Sequence, residues 1–179
     1  MNEHTRRHSA RAILAWSIAL FVTSCTQSSP PTVPEKICGT AVAPALTETL
    51  VDSDGEWDEY NRVDRGAAIS APCVLLSDNE RVLEFRFWWT EDKPDLMYLA
   101  RSGSVAGIND PQRINAAEDS VIGIDGALST TSCKTKKGEY FTLTLQIPQI
   151  QLTDNSHRKD IETFMRAYFP ATVKTLECG

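Results

Sequence analysis

The chain has 179 residues and carries 24 Asp and Glu against 18 Lys and Arg, a formal net charge of −6. An acidic surface repels phosphate backbones, so the composition argues against nucleic-acid binding. The roughly 140 residues from Cys38 onward suit one domain that buries about two-thirds of the surface of its unfolded chain.

The chain begins with a basic segment and a short apolar run, which together are typical of an export signal. Three arginines precede the run, which extends from Ala12 to Val22. About eleven residues are too few for the roughly 20 that a transmembrane helix needs. We therefore predict that residues 1–24 are a signal peptide that takes no part in the fold.

The first residues bear on the export route. Thr5-Arg6-Arg7-His8 resembles the start of a twin-arginine signal. Ser9-Ala10 stands where such signals usually carry an apolar pair. The general secretory route is therefore favoured, and the twin-arginine route is the alternative.

The signal ends in Val22-Thr23-Ser24-Cys25, which resembles the lipobox of bacterial lipoproteins. The resemblance implies that Cys25 receives a thioether-linked diacylglyceride and becomes the mature N-terminus. Two acyl chains suffice for stable anchoring, at about 0.8 kcal/mol for each buried CH2. The protein is then expected on the extracytoplasmic face of the cell membrane, held by lipid on Cys25. The alternative is an ordinary signal peptide in which this cysteine is incidental.

The remaining chain is strongly acidic and begins with a proline-rich stretch. Residues 25–179 hold 15 basic and 23 acidic residues, a net charge of −8, so anionic headgroups should not attract them. Thr26 to Ile37 contains three prolines among Ser and Thr residues. At about 3.1 Å per residue this stretch predicts an extended stalk of roughly 35 Å. The folded domain is predicted over residues 38–179.

Four cysteines remain for the domain, and an even number in an exported chain indicates disulfides. Of the three arrangements of two bonds, we favour Cys38–Cys73 with Cys133–Cys178, because each bond ties a terminal element to a nearby strand. Each would contribute roughly 4 kcal/mol in the chain-entropy model. A metal site is disfavoured because there is no C-x-x-C pair and the mature chain has one histidine, His157.

The first predicted element is a short helix from Thr40 to Leu50, capped by Thr40, with Pro44 in its first turn. Val42, Leu46 and Leu50 are spaced four apart and would face the core.

An acidic loop from Asp52 to Asp64 follows this helix. Its spacing suggests an EF-hand with Gly55 as the sixth position. Leu50 and Asn61 would then occupy the first and twelfth positions, where acidic ligands are needed. A solvated loop without calcium is the better interpretation.

Alternating apolar residues predict strands through the middle of the chain. In the clearest strand, Phe85 and Phe87 share one face, and Trp88 points away from the core. Asp125-Gly126 predicts a hairpin turn, and residues 102–117 predict a long surface connection. The predicted strands are Cys73–Leu76, Arg81–Trp89, Leu96–Arg101, Val121–Ile124, Ala127–Cys133 and Tyr140–Ile147.

A second helix is predicted from Ser156 to Leu176, because Ile161, Phe164 and Tyr168 follow a helical spacing. Pro170 should kink or split it. The resulting fold class is α+β: an antiparallel sheet of about five to six strands with an N-terminal and a C-terminal helix packed on it, and two disulfides. A closed barrel is the alternative.

Several of these features together resemble the uncharacterised secreted lipoproteins of actinobacteria. They are the lipobox, the proline-rich stalk, the Cys38-Gly39 start and the closing sequence F-M-R-A-Y-F-P-A-T-V-K-T-L-E-C. The resemblance covers the presequence and two short ends. It implies an exported, disulfide-tied domain and no particular reaction. Glu177 stands where such relatives often carry Gly before the last cysteine.

No catalytic or cofactor motif stands out from the background. A serine hydrolase needs a base, and His157 is predicted in the first turn of a helix, at the surface. Ser104 lies one position too early for a G-x-S-x-G elbow. Nothing singles out a pair of carboxylates for glycoside hydrolysis, and no phosphate-binding glycine loop is present. We therefore expect a protein that is not an enzyme and uses no cofactor or metal.

Exposed aromatic residues are the most informative surface feature, because Tyr and Trp are favoured in binding patches. Trp57, Tyr60, Trp88 and Tyr140 are predicted on loops or outer strand faces and form a candidate binding surface. If helices cover both sheet faces, Trp88 and Tyr140 are core residues instead. The favoured function is a non-enzymatic, membrane-tethered module that binds an envelope protein or a small ligand. The alternatives are an assembly factor for an envelope complex and a small cell-wall hydrolase.

Overall fold

The computed structural model describes residues 32–65, 67–105, 107–115, 119–150 and 156–179. The predicted signal peptide, Cys25 and the first half of the predicted stalk lie outside these residues. Within the described ranges, no helix combines the length and the apolar character that crossing a membrane requires.

Most of the described chain is an antiparallel sheet with three helices. The elements in chain order are β1 (Lys36–Ile37), β2 (Thr40–Ala41), α1 (Pro44–Glu48), β3 (Trp57–Tyr60), β4 (Ser70–Ser77), β5 (Glu80–Thr90), α2 (Leu96–Ser102), β6 (Gln112–Asn115), β7 (Asp119–Ile122), β8 (Gly126–Thr135), β9 (Gly138–Gln146) and α3 (His157–Val173). The strands β1 and β2 form a separate hairpin, and the other seven form one sheet. The α+β class is confirmed, with more strands than the five or six predicted.

The order of the large sheet is β3-β4-β5-β9-β8-β7-β6. Two runs of sequential hairpins, β3 to β5 and β6 to β9, therefore meet where β5 pairs with β9. The edge strands β3 and β6 were not predicted, because each has four residues and neither shows an alternation of apolar and polar residues. β3 lies in the predicted acidic loop, and β6 lies in the predicted surface connection.

One face of the sheet, which we call the inner face, packs against α3. Phe85 and Phe87 of β5 are almost completely buried there, as the alternation predicted. The ring of Phe85 lies 4.9 Å from that of Tyr168, and the ring of Phe141 lies 5.9 Å from that of Phe169. Aromatic contacts between β5, β9 and α3 thus form the centre of the main core.

The helix α3 continues past Pro170, so the predicted split does not occur. Pro170 lies in the last turn, where its missing N–H removes one backbone hydrogen bond. The helix ends at Val173 rather than Leu176, and the amide of Lys174 donates to the Pro170 carbonyl at 3.1 Å.

The N-terminal region differs from the prediction of a helix that begins at Thr40. Cys38 and Gly39 have positive φ angles of 50° and 74°, as a tight two-residue hairpin turn between β1 and β2 requires. Thr40 therefore pairs with Ile37 in a strand, and α1 begins only at Pro44, without a side-chain cap. Pro44 does lie in the first turn of α1, as predicted. Ile37 is fully buried, so the folded part includes residues assigned to the stalk.

Both predicted disulfides are present. Cys38 bonds to Cys73 on β4, and their Cα atoms are 6.0 Å apart. Cys133 on β8 bonds to Cys178 beyond α3, with a Cα separation of 4.8 Å. Each bond attaches one end of the described domain to the large sheet.

The predicted strand Leu96–Arg101 is wrong, because these residues form the helix α2. The Asp95 side chain accepts hydrogen bonds from the amides of Met97 and Tyr98, and Gly103 ends the helix with φ 66°. Leu96 is buried against the second face of the sheet, which we call the outer face. An Asp before the apolar residues and a Gly after them were the signals for a helix.

The predicted hairpin around Asp125 is confirmed as the connection between β7 and β8. The turn is one residue earlier than expected, because Gly126 already belongs to β8. The Gly126 carbonyl accepts a hydrogen bond from the Gly123 amide at 2.8 Å, and this bond closes the turn over residues 123–125.

A polar network holds the β1–β2 turn against α3 and the large sheet. The Tyr168 hydroxyl donates to the Ile37 carbonyl at 2.9 Å, and burial raises the pKa of this tyrosine. The Arg65 guanidinium donates to the carbonyls of Cys38 at 2.8 Å and Gly39 at 3.0 Å. The Glu59 carboxylate accepts from the Cys38 amide. The turn and the residue before it thus form hydrogen bonds with side chains from three other parts of the chain.

Replacing Tyr168 by Phe should lower the free energy of unfolding by about 1–3 kcal/mol, because the buried Ile37 carbonyl loses its donor. Tyr98→Phe is the matched control, since Tyr98 is 67% exposed. Urea unfolding of both variants measures the effect. Equal stability of the two variants would show that the hydroxyl contributes nothing.

The raised pKa of Tyr168 also predicts a loss of stability at alkaline pH. An exposed tyrosine has a pKa of about 10, so above this pH the unfolded chain releases a proton that the folded protein retains. The free energy of unfolding should therefore be fully retained below about pH 10 and should fall as the pH rises further. Urea titrations at intervals from pH 9 to 11 should give a shallower slope for Tyr168→Phe than for Tyr98→Phe.

Candidate ligand-binding groove

The outer face of the sheet is covered by α2 over only part of its width. Val121 and Leu128 are buried beneath α2, together with Leu96 and Ala100 of the helix. Farther across the sheet, β5 presents Arg86 to solvent on this face. The boundary between the covered and uncovered parts of the face lies beside Trp88.

A shallow, open groove of about 420 Å³ lies at this boundary. Its apolar walls come from the end of β5, the following loop and the first turn of α2. Charged side chains stand among them. We call it the aromatic groove, and it is lined by Trp88, Thr90, Pro94, Tyr98 and Leu99, with Glu91, Asp92, Lys93 and Asp95.

The two aromatic walls are placed by regular secondary structure. Trp88 is in register with Thr142 on β9 and Ser70 on β4, so hydrogen-bonded strands flank it on both sides. Tyr98 lies in the first turn of α2, where its amide donates to the carboxylate of Asp95. The walls are therefore fixed by the sheet and by a capped helix.

Two ion pairs attach the loop of the groove to the neighbouring strands β6 and β7. The Asp95 carboxylate lies 3.2 Å from the Arg113 guanidinium. The Lys93 ammonium lies 3.2 Å from the carboxylate of Asp119. Such exposed pairs contribute little to stability, but they determine which charges in the groove already have partners.

Tyr98 is the most exposed of the large apolar side chains in the described part of the chain, at 67%. Trp88 is half-buried, and its indole N–H is buried without a hydrogen-bond partner among the described residues. The indole N–H groups of Trp57 and Trp89 share this property, so it does not distinguish the groove. The exposure of Tyr98 beside Trp88 does distinguish it, because aromatic side chains at a concave surface favour binding.

The four aromatic residues predicted as a binding surface do not form one patch. Trp88 and Tyr140 lie on the same face of the paired strands β5 and β9, and both are half-buried. Tyr60 is 48% exposed at the edge strand β3, with the Arg62 guanidinium 4.7 Å from its ring. Trp57 packs against the main core instead.

Sequence reasoning missed Tyr98, the most exposed wall of the groove. The cause is the mistaken strand at Leu96–Arg101, in which Tyr98 had no distinctive position. The helix-capping role of Asp95 would have placed Tyr98 in a first turn, beside the end of β5.

Two other clusters in the described residues contain groups that occur in metal or catalytic sites. Sulfur atoms of Cys38 and Cys73 lie close to the Glu59 carboxylate, but the disulfide leaves no thiolate to bind a metal. His157 borders a cavity of about 330 Å³ that is also lined by Val82 and Ile147. Its Nδ1 atom is buried without a partner among the described residues. The predicted surface position of His157 is thus only partly correct.

Comparisons with models of protein families, with curated protein sequences and with solved structures found no match for this chain.

We expect Tyr98→Ala to change the free energy of unfolding by no more than about 0.5 kcal/mol, because an exposed side chain leaves no cavity. Phe87→Ala should instead destabilise by about 3–5 kcal/mol, since Phe87 lies in the main core. Chemical denaturation of the two variants compares them directly. A large loss in Tyr98→Ala would mean that Tyr98 is a structural residue.

Proposed function

We propose that this protein is a lipid-anchored, extracytoplasmic binding module that holds its ligand in the aromatic groove. The observation that carries the proposal is the exposure of Tyr98 beside the half-buried Trp88 in a shallow groove. Large aromatic side chains provide much contact area for little lost conformational freedom, which is why they recur at binding sites.

The position of the groove supports binding by a rigid surface. One wall belongs to β5, which is flanked by β4 and β9, and the other belongs to the capped helix α2. A preformed groove loses little entropy when a ligand binds, so modest contacts yield measurable affinity.

The proposed location outside the cell rests on two sequence features and agrees with the disulfides. Cys25 ends a lipobox-like signal, and a proline-rich stretch separates it from the folded residues. Two disulfides suit an oxidising compartment. The proposed module would therefore be tethered by lipid and would meet ligands at the outer surface of the membrane.

The anchor is tested by Cys25→Ala expressed in a bacterium that lipidates proteins. Wild-type protein should incorporate labelled palmitate and sediment with membranes, and the variant should lose the label and much of the sedimentation, because it has no thiol to acylate. Cys178→Ala is the control for loss of a cysteine and should retain the label. Unlabelled wild-type protein would contradict the anchor.

The groove is tested by a photo-cross-linking amino acid placed at Tyr98 in living cells. One adduct of constant mass is expected, because the side chain stands in the proposed binding surface. Ile69, which is 64% exposed, provides the matched position outside the groove and should give no such adduct. Identical adducts at both positions, or none at Tyr98, would argue against a binding groove.

A further inference from the structure

The charges around the aromatic groove do not balance. Its lining contains three carboxylates, of Glu91, Asp92 and Asp95, and one ammonium, of Lys93, a formal charge of −2. The charges that pair with this lining, on Arg113 and Asp119, cancel each other. The groove and its ion pairs therefore keep a charge of −2 beside two aromatic walls.

The surplus charge belongs to Glu91 and Asp92. Asp95 caps α2 and pairs with Arg113, and Lys93 pairs with Asp119. The side chains of Glu91 and Asp92 are exposed, and neither has a hydrogen bond or ion pair in the described residues. Lys134 is the nearby cation that interacts with Glu91, and it is already paired with Glu139 at 3.0 Å.

The aromatic rings of the groove also lack a cation of their own. Elsewhere in the described chain, positively charged groups lie over aromatic rings at 4.1 Å for Lys137 on Trp89, 4.7 Å for Arg62 on Tyr60 and 5.2 Å for Arg65 on Phe87. No positively charged group of the described residues lies over the ring of Trp88 or Tyr98. An aromatic face next to unpaired carboxylates is the environment that attracts a desolvated cation.

We infer that the aromatic groove binds an arginine or lysine side chain presented by another protein. This inference rests on the proposed binding function and names its ligand class. The aliphatic part of such a side chain would lie between Trp88 and Tyr98, and its charged end would reach Glu91 and Asp92. The first contact needs an aliphatic chain and the second needs a positive charge. Arginine and lysine side chains combine the two.

The orientation of the side chain follows from a second charge on the outer face. Arg86 lies two residues before Trp88 on the same side of β5 and is exposed, but it does not line the groove. It would repel a cation that approached from the sheet. The charged end is therefore expected at the loop of Glu91 and Asp92, on the opposite side of Trp88.

Binding is tested with the full chain as cells produce it, purified in a neutral detergent. The probe is the blocked peptide Gly-Gly-Arg-Gly-Gly, titrated by calorimetry or NMR. We expect a Kd of about 0.1–1 mM, because a single cation–π contact and exposed ion pairs are individually weak. The same peptide with neutral citrulline in place of arginine should bind at least about tenfold more weakly.

Variants identify the groove as the site. Tyr98→Ala should weaken binding of the arginine peptide about fivefold or more. Glu91→Gln combined with Asp92→Asn should weaken it to a similar extent and should also make the Kd less dependent on salt concentration. Arg86→Gln is the matched control for a charge change on the same face and should bind at least as tightly as wild type. All these side chains are exposed, so folding should be retained, and far-ultraviolet circular dichroism verifies it.

Three results would overturn the inference. They are equal binding of the arginine and citrulline peptides, unchanged binding in the Glu91 and Asp92 double variant, and tighter binding of free methylguanidinium than of the peptide. If the peptide fails while the cross-linker at Tyr98 still gives its adduct, the ligand class is wrong and the binding module stands. If both fail, the proposed function fails as well.

Discussion

The two-residue turn at Cys38 and Gly39 is the constraint on which the closure of the main core depends. Cys38 is joined to β4 by a disulfide, its carbonyl accepts a hydrogen bond from Arg65, and its amide donates one to Glu59. The preceding carbonyl, of Ile37, accepts from Tyr168 in the middle of α3. The turn connects the first hairpin, the sheet and the last helix. It therefore holds α3 over the inner face, where Phe85 and Phe164 are buried from solvent.

Sequence reasoning succeeded where one physical signal dominated. The alternation of β5, the spacing of apolar residues in α3 and the pairing of four cysteines are each strong patterns, and the structure agrees with all of them. It failed where two signals competed. Leu96–Arg101 is apolar enough for a strand, but the cap at Asp95 and the glycine at position 103 decide for a helix. The turn at Cys38 was not predicted for a different reason: a cysteine with a positive φ angle has no reliable sequence signature.

The candidate groove was only half predictable for the same reason. Trp88 was expected on the outer face because its neighbours alternate with it, and that orientation depends on β5 alone. Tyr98 reaches the groove only because α2 packs over β7 and β8, which is a tertiary relation that no local pattern contains. A site formed by a strand and a helix can thus be predicted only when the positions of both elements in the tertiary structure are known.

The pairing of β5 with β9 connects residues that are 50 to 62 positions apart, whereas every other strand pair in the large sheet joins neighbours in sequence. Contacts at such distances form slowly, because a long loop must close first. Each disulfide spans a shorter stretch, of 35 or 45 residues, and neither crosses this seam. We therefore expect the two halves to be oxidised separately and to join late in folding, when β5 pairs with β9 and α3 docks on the first hairpin, where the contact between Tyr168 and Ile37 spans 131 residues.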